Sequence, residues 1–201
     1  MSISGKFHDK FVYDRRMSQL HDHISKLIKE FGCERILDVG AGDGKIDSML
    51  IETNNITITG IDVLVRDLTY IPVEEYDGSH INLKDNSVNT TMMIDVLHHI
   101  DDPEAVFKEV VRVTDKYVII KDHILHGFIS YIKLKMMDYV GNKQYSVRLP
   151  YNYLTNERWK KMFEDNHLEI VSYNTDLKLY KGLFHLLFDS NLHFIAILKK
   201  S

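Results

Sequence analysis

The chain has 201 residues, of which 44% are hydrophobic, a length and composition that fit one domain able to bury a core without disulfides or a metal staple. Lysine and arginine total 25 against 29 aspartates and glutamates, a net charge of −4, so there is no bulk positive field to neutralise a phosphate backbone, and nucleic acid is excluded as the expected partner. The one cysteine, Cys33, makes no internal disulfide. The N-terminal residues are polar, and no apolar run approaches the roughly 20 residues of a membrane helix, so a cytoplasmic protein with no membrane span is expected.

In chain order, residues 20–31 place Leu20, Ile24, Leu27, Ile28 and Phe31 at helical spacing, ending at Gly32. Residues 35–39 read as a short buried strand that runs into a glycine-rich turn, with a helix from about Gly44 through Ile51. Residues 56–61 and 88–94 are the next strands. Residues 103–113 form a helix capped by Asp101 or Asp102, and residues 117–120 are a further strand. Strand and helix alternate, which predicts an α/β fold with a mostly parallel sheet. A helix over 155–165 capped by Thr155, then apolar segments 167–173 and 192–198, would close the sheet with an antiparallel hairpin. The expected organisation is one domain over 1–201, with an N-terminal helical segment (1–31) and a substrate-side insertion (123–154).

Eleven histidines invite a search for metal-ligand spacing. His21 with His23, His98 with His99, and His123 with His126 are the close sets, and none carries the cysteine or glutamate partners of a zinc motif. A magnesium site around Asp95 and Asp122 lacks a third oxygen ligand. No metal is expected.

The informative stretch is Asp38-Val39-Gly40-Ala41-Gly42-Asp43-Gly44, where a strand enters alternate glycines and then a helix. Glycines there let a ligand approach the backbone, and the helix start offers N–H groups to an anionic end. The dinucleotide fingerprint fails because Lys45 stands where its third glycine belongs, and the phosphate-loop pattern fails at Val39 and Ile46. Asp62 ends the second strand 22 residues after Gly40, where a carboxylate can accept hydrogen bonds from both hydroxyls of a ribose.

These residues resemble class I S-adenosylmethionine-dependent methyltransferases, in particular the type 11 small-molecule group. Asp38 to Gly44 looks like the family's first motif, Gly60-Ile61-Asp62-Val63 its ribose-binding strand, Tyr76-Asp77-Gly78 its adenine-proximal turn, and Asp95-Val96-Leu97-His98-His99-Ile100 the end of its fourth strand. The resemblance is strong from Glu34 to Asp122. It implies a Rossmann-like seven-stranded sheet with helices on both faces. It also implies S-adenosylmethionine as cofactor, S-adenosylhomocysteine as product, and a small-molecule acceptor. Carried over residue by residue, Asp38, Gly40, Ala41 and Gly42 serve the methionine end, Asp62 the ribose, and Val63, Asp77 and Gly78 the adenine, with Asp95 and Val96 near the sulfonium. A departure follows Asp62, where many relatives have a third helix and this chain shows none.

Methyl transfer from a sulfonium is an in-line displacement that depends on alignment and needs no covalent intermediate, so a missing nucleophile signature is consistent. If the acceptor is a hydroxyl or amine, His99 or His123 is the candidate base. Tyr13 and Arg16, in a segment opening at Phe11, are candidates to cover the cofactor. Residues 127–140 are apolar almost all round if helical, which suggests an apolar or amphipathic acceptor. The alternative is a non-catalytic module that keeps the cofactor fold and docks a protein partner through an exposed apolar patch at 127–140. Oligomeric state is not legible.

Overall fold

The computed structural model describes residues 3–142, 149–189 and 191–201. Seven strands form one sheet in the order β3-β2-β1-β4-β5-β7-β6. They are β1 (Arg35–Val39), β2 (Thr57–Asp62), β3 (Val73–Glu75), β4 (Val88–Ile94), β5 (Thr114–His123), β6 (Leu168–Asn174) and β7 (His193–Lys200). The pairs β3-β2, β2-β1, β1-β4 and β4-β5 are parallel, whereas β7 runs antiparallel between β5 and β6. This is the Rossmann-like sheet with an antiparallel C-terminal hairpin.

The strands alternate their side chains between two cores, as the pleat requires. On one face Met93, Val118, Ile120, Phe194, Ala196 and Leu198 pack with Phe107 and Val110 of α3 (Pro103–Val113) and with Trp159 and Phe163 of α5 (Asn156–Asp165). On the other, Ile36, Met92, Ile119, Ile195 and Ile197 meet Leu20, Ile24, Leu27 and Ile28 of α1 (Ile3–Phe31) and Leu50 of α2 (Lys45–Thr53). Helices therefore cover both faces, which is why the central strands read as continuous apolar runs.

Several boundaries differ from the sequence reading. Helix α1 begins at Ile3, so the stretch around Tyr13 and Arg16 is the first half of the helix that ends at Phe31; the side chain of Phe11, like that of Val140, lies outside the described residues. Strand β5 is ten residues long because it pairs with both β4 and β7, and its end carries Lys121, Asp122 and His123, all buried. No helix separates β2 from β3 or β3 from β4, as the departure after Asp62 suggested, and β3 itself, only three residues at the sheet edge, has too little periodicity to be seen. Residues 128–140 are helical within α4 (Phe128–Asn142), which Gly127 precedes. Among the described residues no helix is long and apolar enough to cross a membrane.

Because β1 sits between β2 and β4, the chain leaves β1 toward one side and later returns to the other, which opens a crevice at the C-terminal strand ends, the usual ligand position in such sheets. Asp102 caps α3, accepting from the Ala105 N–H at 3.0 Å with Pro103 at the first helical position. Replacing it, Asp102→Ala, is expected to lower unfolding stability by about 1 kcal/mol, measured by urea denaturation with an unchanged slope.

Candidate active site

The turn after β1 uses its glycines for different reasons. Gly40, Gly42 and Gly44 all have positive φ (+84°, +61° and +71°), a region costly for other residues. A Cβ on Gly40 would stand 2.5 Å from Val96 Cγ2, and one on Gly44 would stand 2.4 Å from Ile71 Cγ1, so these two serve close packing. At Gly42 the neighbours within reach are atoms of the Arg66 guanidinium, the nearest at 3.4 Å, so this glycine faces a flexible side chain and is the one open to an approaching ligand. The N–H groups of Gly40 and Ala41 both donate to the Ile61 carbonyl oxygen, at 2.8 and 3.2 Å, which ties the turn to β2.

Asp62 completes the tie. Its Oδ2 accepts the Gly42 N–H at 2.8 Å and its Oδ1 accepts the Leu64 N–H at 3.0 Å. Each oxygen keeps a further lone pair, so the carboxylate is oriented without being used up. Next to it, a Cβ on Gly78 would lie 3.0 Å from Val63 Cγ1, so the end of β2 and the 76–78 turn are close neighbours. Asp77 Oδ1 accepts the N–H groups of Ser79 and His80, both at 2.7 Å, and the Ser79 hydroxyl at 2.9 Å, bonds that hold the exposed carboxylate below its usual range.

Beneath the turn lies a pair of buried carboxyl groups. Asp38 at the end of β1 and Asp47 on α2 are 2% and 0% exposed, and Asp38 Oδ1 and both Asp47 oxygens have no other hydrogen-bond partner. Burial, reinforced by Asp47, raises Asp38 well above the carboxylate range, and burial raises Asp47 to about 6. The two share a proton, since two adjacent buried carboxylates cannot both ionise cheaply.

Beyond β4 the character changes. Asp95 adopts a left-handed conformation (φ 57°), and its carboxylate pairs with Arg16 of α1 and, at 2.5 Å, with Lys121 of β5. Burial opposes its ionisation, but Lys121 and Arg16 outweigh that and hold Asp95 well below its usual range. Val96 packs on Gly40. Leu97–His99 is a single tight turn that delivers His98 into the interior, where its Nδ1 lies 2.6 Å from Asp122 Oδ1 and its Nε2 lies 3.5 Å from Asp138 Oδ2 of α4. Burial lowers His98, but Asp122 more than offsets it and pushes it up to about 9. His99 is partly exposed, its Nδ1 unpaired, and burial followed by the neighbouring His98 charge pulls it down to about 4. His123 is wholly enclosed, with Nε2 at 3.5 Å from Asp138 Oδ1 and Nδ1 at 3.0 Å from His193 Nδ1, and burial together with His98 lowers its pKa. The Trp159 indole N–H donates to the His123 carbonyl oxygen at 2.9 Å and fixes the strand end.

Asp38, the glycine turn, Asp62, Val63, Asp77, Gly78, Asp95, Val96, His99 and His123 thus lie at or just past the C-terminal ends of β1 to β5. The glycine turn and Asp62 join directly, as do Val63 and Gly78. Asp95 and His123 belong to a buried charged network, and His99 stands at its rim. Sequence reasoning weighed His98 and Asp122 only as metal ligands and set them aside, and it missed Lys121, Asp138 and His193. One signal was available: Lys121-Asp122-His123 interrupts an apolar run, and Asp138 is the one acid in the otherwise apolar and basic stretch 127–140. Arg16 meets Asp95, a pairing that no spacing along the chain signals.

The seven-stranded order with its antiparallel C-terminal hairpin is the Rossmann-like fold shared with class I methyltransferase structures. Residues 37–119 match the family model described as a methyltransferase domain. Among solved structures, magnesium protoporphyrin IX methyltransferase from Synechocystis, with S-adenosylhomocysteine bound, is similar over 97% of this chain and 88% of its own at 15% identity (TM-score 0.65). The partner of the Trm112 methyltransferase activator from Haloferax volcanii covers 83% and 81% at 11% identity (TM-score 0.60). The cyclase SpnF covers 89% and 80% at 15% identity (TM-score 0.61). No curated protein sequence matches the chain.

The shared proton has a measurable consequence. Because Asp47 is raised in the folded chain, its contribution favours folding at acid pH and is lost as pH rises through about 6. An Asp47→Asn substitution, which supplies a permanent donor, is expected to raise the melting temperature relative to the parent more at pH 8 than at pH 5. An equal shift at both pH values would show that no proton is shared there.

Proposed function

We propose that the protein is an S-adenosylmethionine-dependent methyltransferase acting on a small, apolar or amphipathic acceptor. The observation that carries the cofactor assignment is Asp62: it is fixed by the Gly42 N–H, sits at the crevice of the sheet, and keeps lone pairs for a ribose. Gly42 supports it as the glycine whose nearest neighbours, Arg66 guanidinium atoms, come no closer than 3.4 Å, and the closeness of Val63 to Gly78 supports an adenine position there. On this reading Asp38, Gly40, Ala41 and Gly42 hold the methionine portion, Asp62 the ribose, Val63, Asp77 and Gly78 the adenine, and Asp95 with Val96 lies toward the sulfonium. The cofactor supplies an electrophilic methyl group. The chain supplies alignment and a water-poor floor.

The acceptor would lie beyond Asp95, between the Leu97–His99 turn and α4. Tyr153 and Leu134, both buried, pack with Leu192 and with Tyr131 and Tyr151 there, so the surroundings are aromatic and apolar. His99 is the better placed base, since it is partly exposed, neutral at neutral pH and unpaired at Nδ1, whereas His123 is shut away.

A second reading is favoured by one feature. Phe128, Ile129, Ile132, Met136 and Tyr139 are all at least 49% exposed and fall along one side of α4, an apolar stripe of the kind that meets a partner protein. A non-catalytic module that docks through this stripe would bind the cofactor and release no S-adenosylhomocysteine with any acceptor.

Isothermal titration with S-adenosylmethionine and, separately, NADH is the test. Saturable binding of the first alone is expected, and Asp62→Ala should weaken it roughly ten- to a hundredfold, the equivalent of one charge-assisted hydrogen bond of about 1.5–3 kcal/mol. Unchanged affinity in a folded variant would remove Asp62 from the cofactor site.

A further inference from the structure

The buried network beyond β4 holds more ligand chemistry than proton transfer needs. Among the described residues, Asp95, His98, Asp122 and His123 each place one donor atom within 4.8 Å of the others. Asp138 joins them from α4, its two oxygens 3.5 Å from His98 Nε2 and 3.5 Å from His123 Nε2. Metal–ligand distances of about 2.0–2.2 Å put neighbouring donors around a tetrahedral ion roughly 3.3–3.6 Å apart, so these separations match the edges of a coordination polyhedron.

The outer contacts set the ring orientation. His98 Nδ1 is engaged by Asp122, which is itself held by the N–H groups of Leu97 and His123 at 3.1 and 2.7 Å. His123 Nδ1 is engaged by His193. Both imidazoles therefore turn Nε2 toward Asp138, the carboxylate–histidine arrangement that orients metal ligands. The Tyr153 hydroxyl donates to Asp138 Oδ2 and fixes that carboxylate in turn. Asp95 lies farther out, its Oδ1 3.8 Å from His123 Nε2 and already paired with Lys121 and Arg16. It would border a fourth, open position.

We propose that His98, His123 and Asp138 bind one divalent first-row transition-metal ion, of the zinc, iron or manganese class, at the floor of the acceptor site. Two imidazoles and one carboxylate select these ions over magnesium or calcium, which favour all-oxygen shells. The three ligands come from three separate elements, the Leu97–His99 turn, β5 and α4, which explains why no spaced motif marks the site in the sequence. Resting on the methyltransferase reading, an ion in this position would ligate an acceptor oxygen and lower its pKa for attack on the methyl group, the proton passing to a base such as His99. Metal binding itself does not depend on that reading.

The test uses the full chain, stripped with a chelator, dialysed, and titrated calorimetrically with zinc chloride and in parallel with magnesium chloride. One equivalent of zinc and no saturable magnesium are expected. Asp138→Asn, which keeps the Tyr153 contact possible, should weaken zinc at least tenfold, while His21→Gln on α1 should not. Cobalt(II) added to the parent protein should give the intense visible bands of a four- or five-coordinate ion, a readout that needs no variant to fold. No saturable zinc uptake, parent affinity in folded Asp138→Asn, or only weak six-coordinate cobalt bands would overturn the proposal. Titrating the same stripped sample with S-adenosylmethionine reads the cofactor assignment separately, so either can fail alone.

Discussion

A lysine with no exposed surface organises the site. Lys121 sits on β5 among Ile119, Ile120 and Val118, and burial pulls its ammonium below the usual lysine range against the attraction of Asp95. An unpaired charge there would be very costly, so the lysine fixes Asp95 at the end of β4, and Asp95 in turn fixes Arg16 on α1. Three elements that the hydrophobic cores merely bring near each other are thereby held in one register at the place where the strand ends open.

From that anchor the two halves of the crevice follow. On the β1–β2 side backbone groups dominate: the Ile61 carbonyl and the Asp62 carboxylate hold the glycine turn by its N–H groups, and burial raises the neighbouring Asp38 and Asp47 carboxyls. On the β4–β5 side side chains dominate, with carboxylates and imidazoles in alternation and Tyr153 and Trp159 closing the interior. The first side is lined by backbone N–H groups and one carboxylate, Asp62. A charged, buried floor suits proton or metal chemistry. The SpnF likeness is a reminder that this sheet accommodates different reactions, which places the weight of any functional reading on the second half.

Helix α4 links that floor to the surface. Its buried side carries Leu134 and Asp138, four residues apart, and its outer side carries the exposed apolar stripe. Whatever covers the stripe would bear on the helix that supplies Asp138.

The sequence by itself determined most of the sheet, the helices on its two faces and the glycine-turn half of the candidate site, because these are written in local terms: alternation along strands, a 3.6-residue period in helices, glycines at one turn, and an aspartate at a strand end a fixed distance on. Strands 35–39 and 88–94 and helix 103–113 needed nothing from the rest of the chain, and the structure chose Asp102 over Asp101 as the helix cap. It left β3 unseen, because three residues carry no period, and it stopped β5 short, because charged residues at a strand end read as a boundary. Only the tertiary structure decided that Lys121, Asp122 and His123 are interior, that Asp138 faces them across 15 residues of chain, and that Arg16 reaches Asp95 from 79 residues away. Burial of charge depends on partners that arrive from distant elements, and no spacing rule along one chain records which of them will meet.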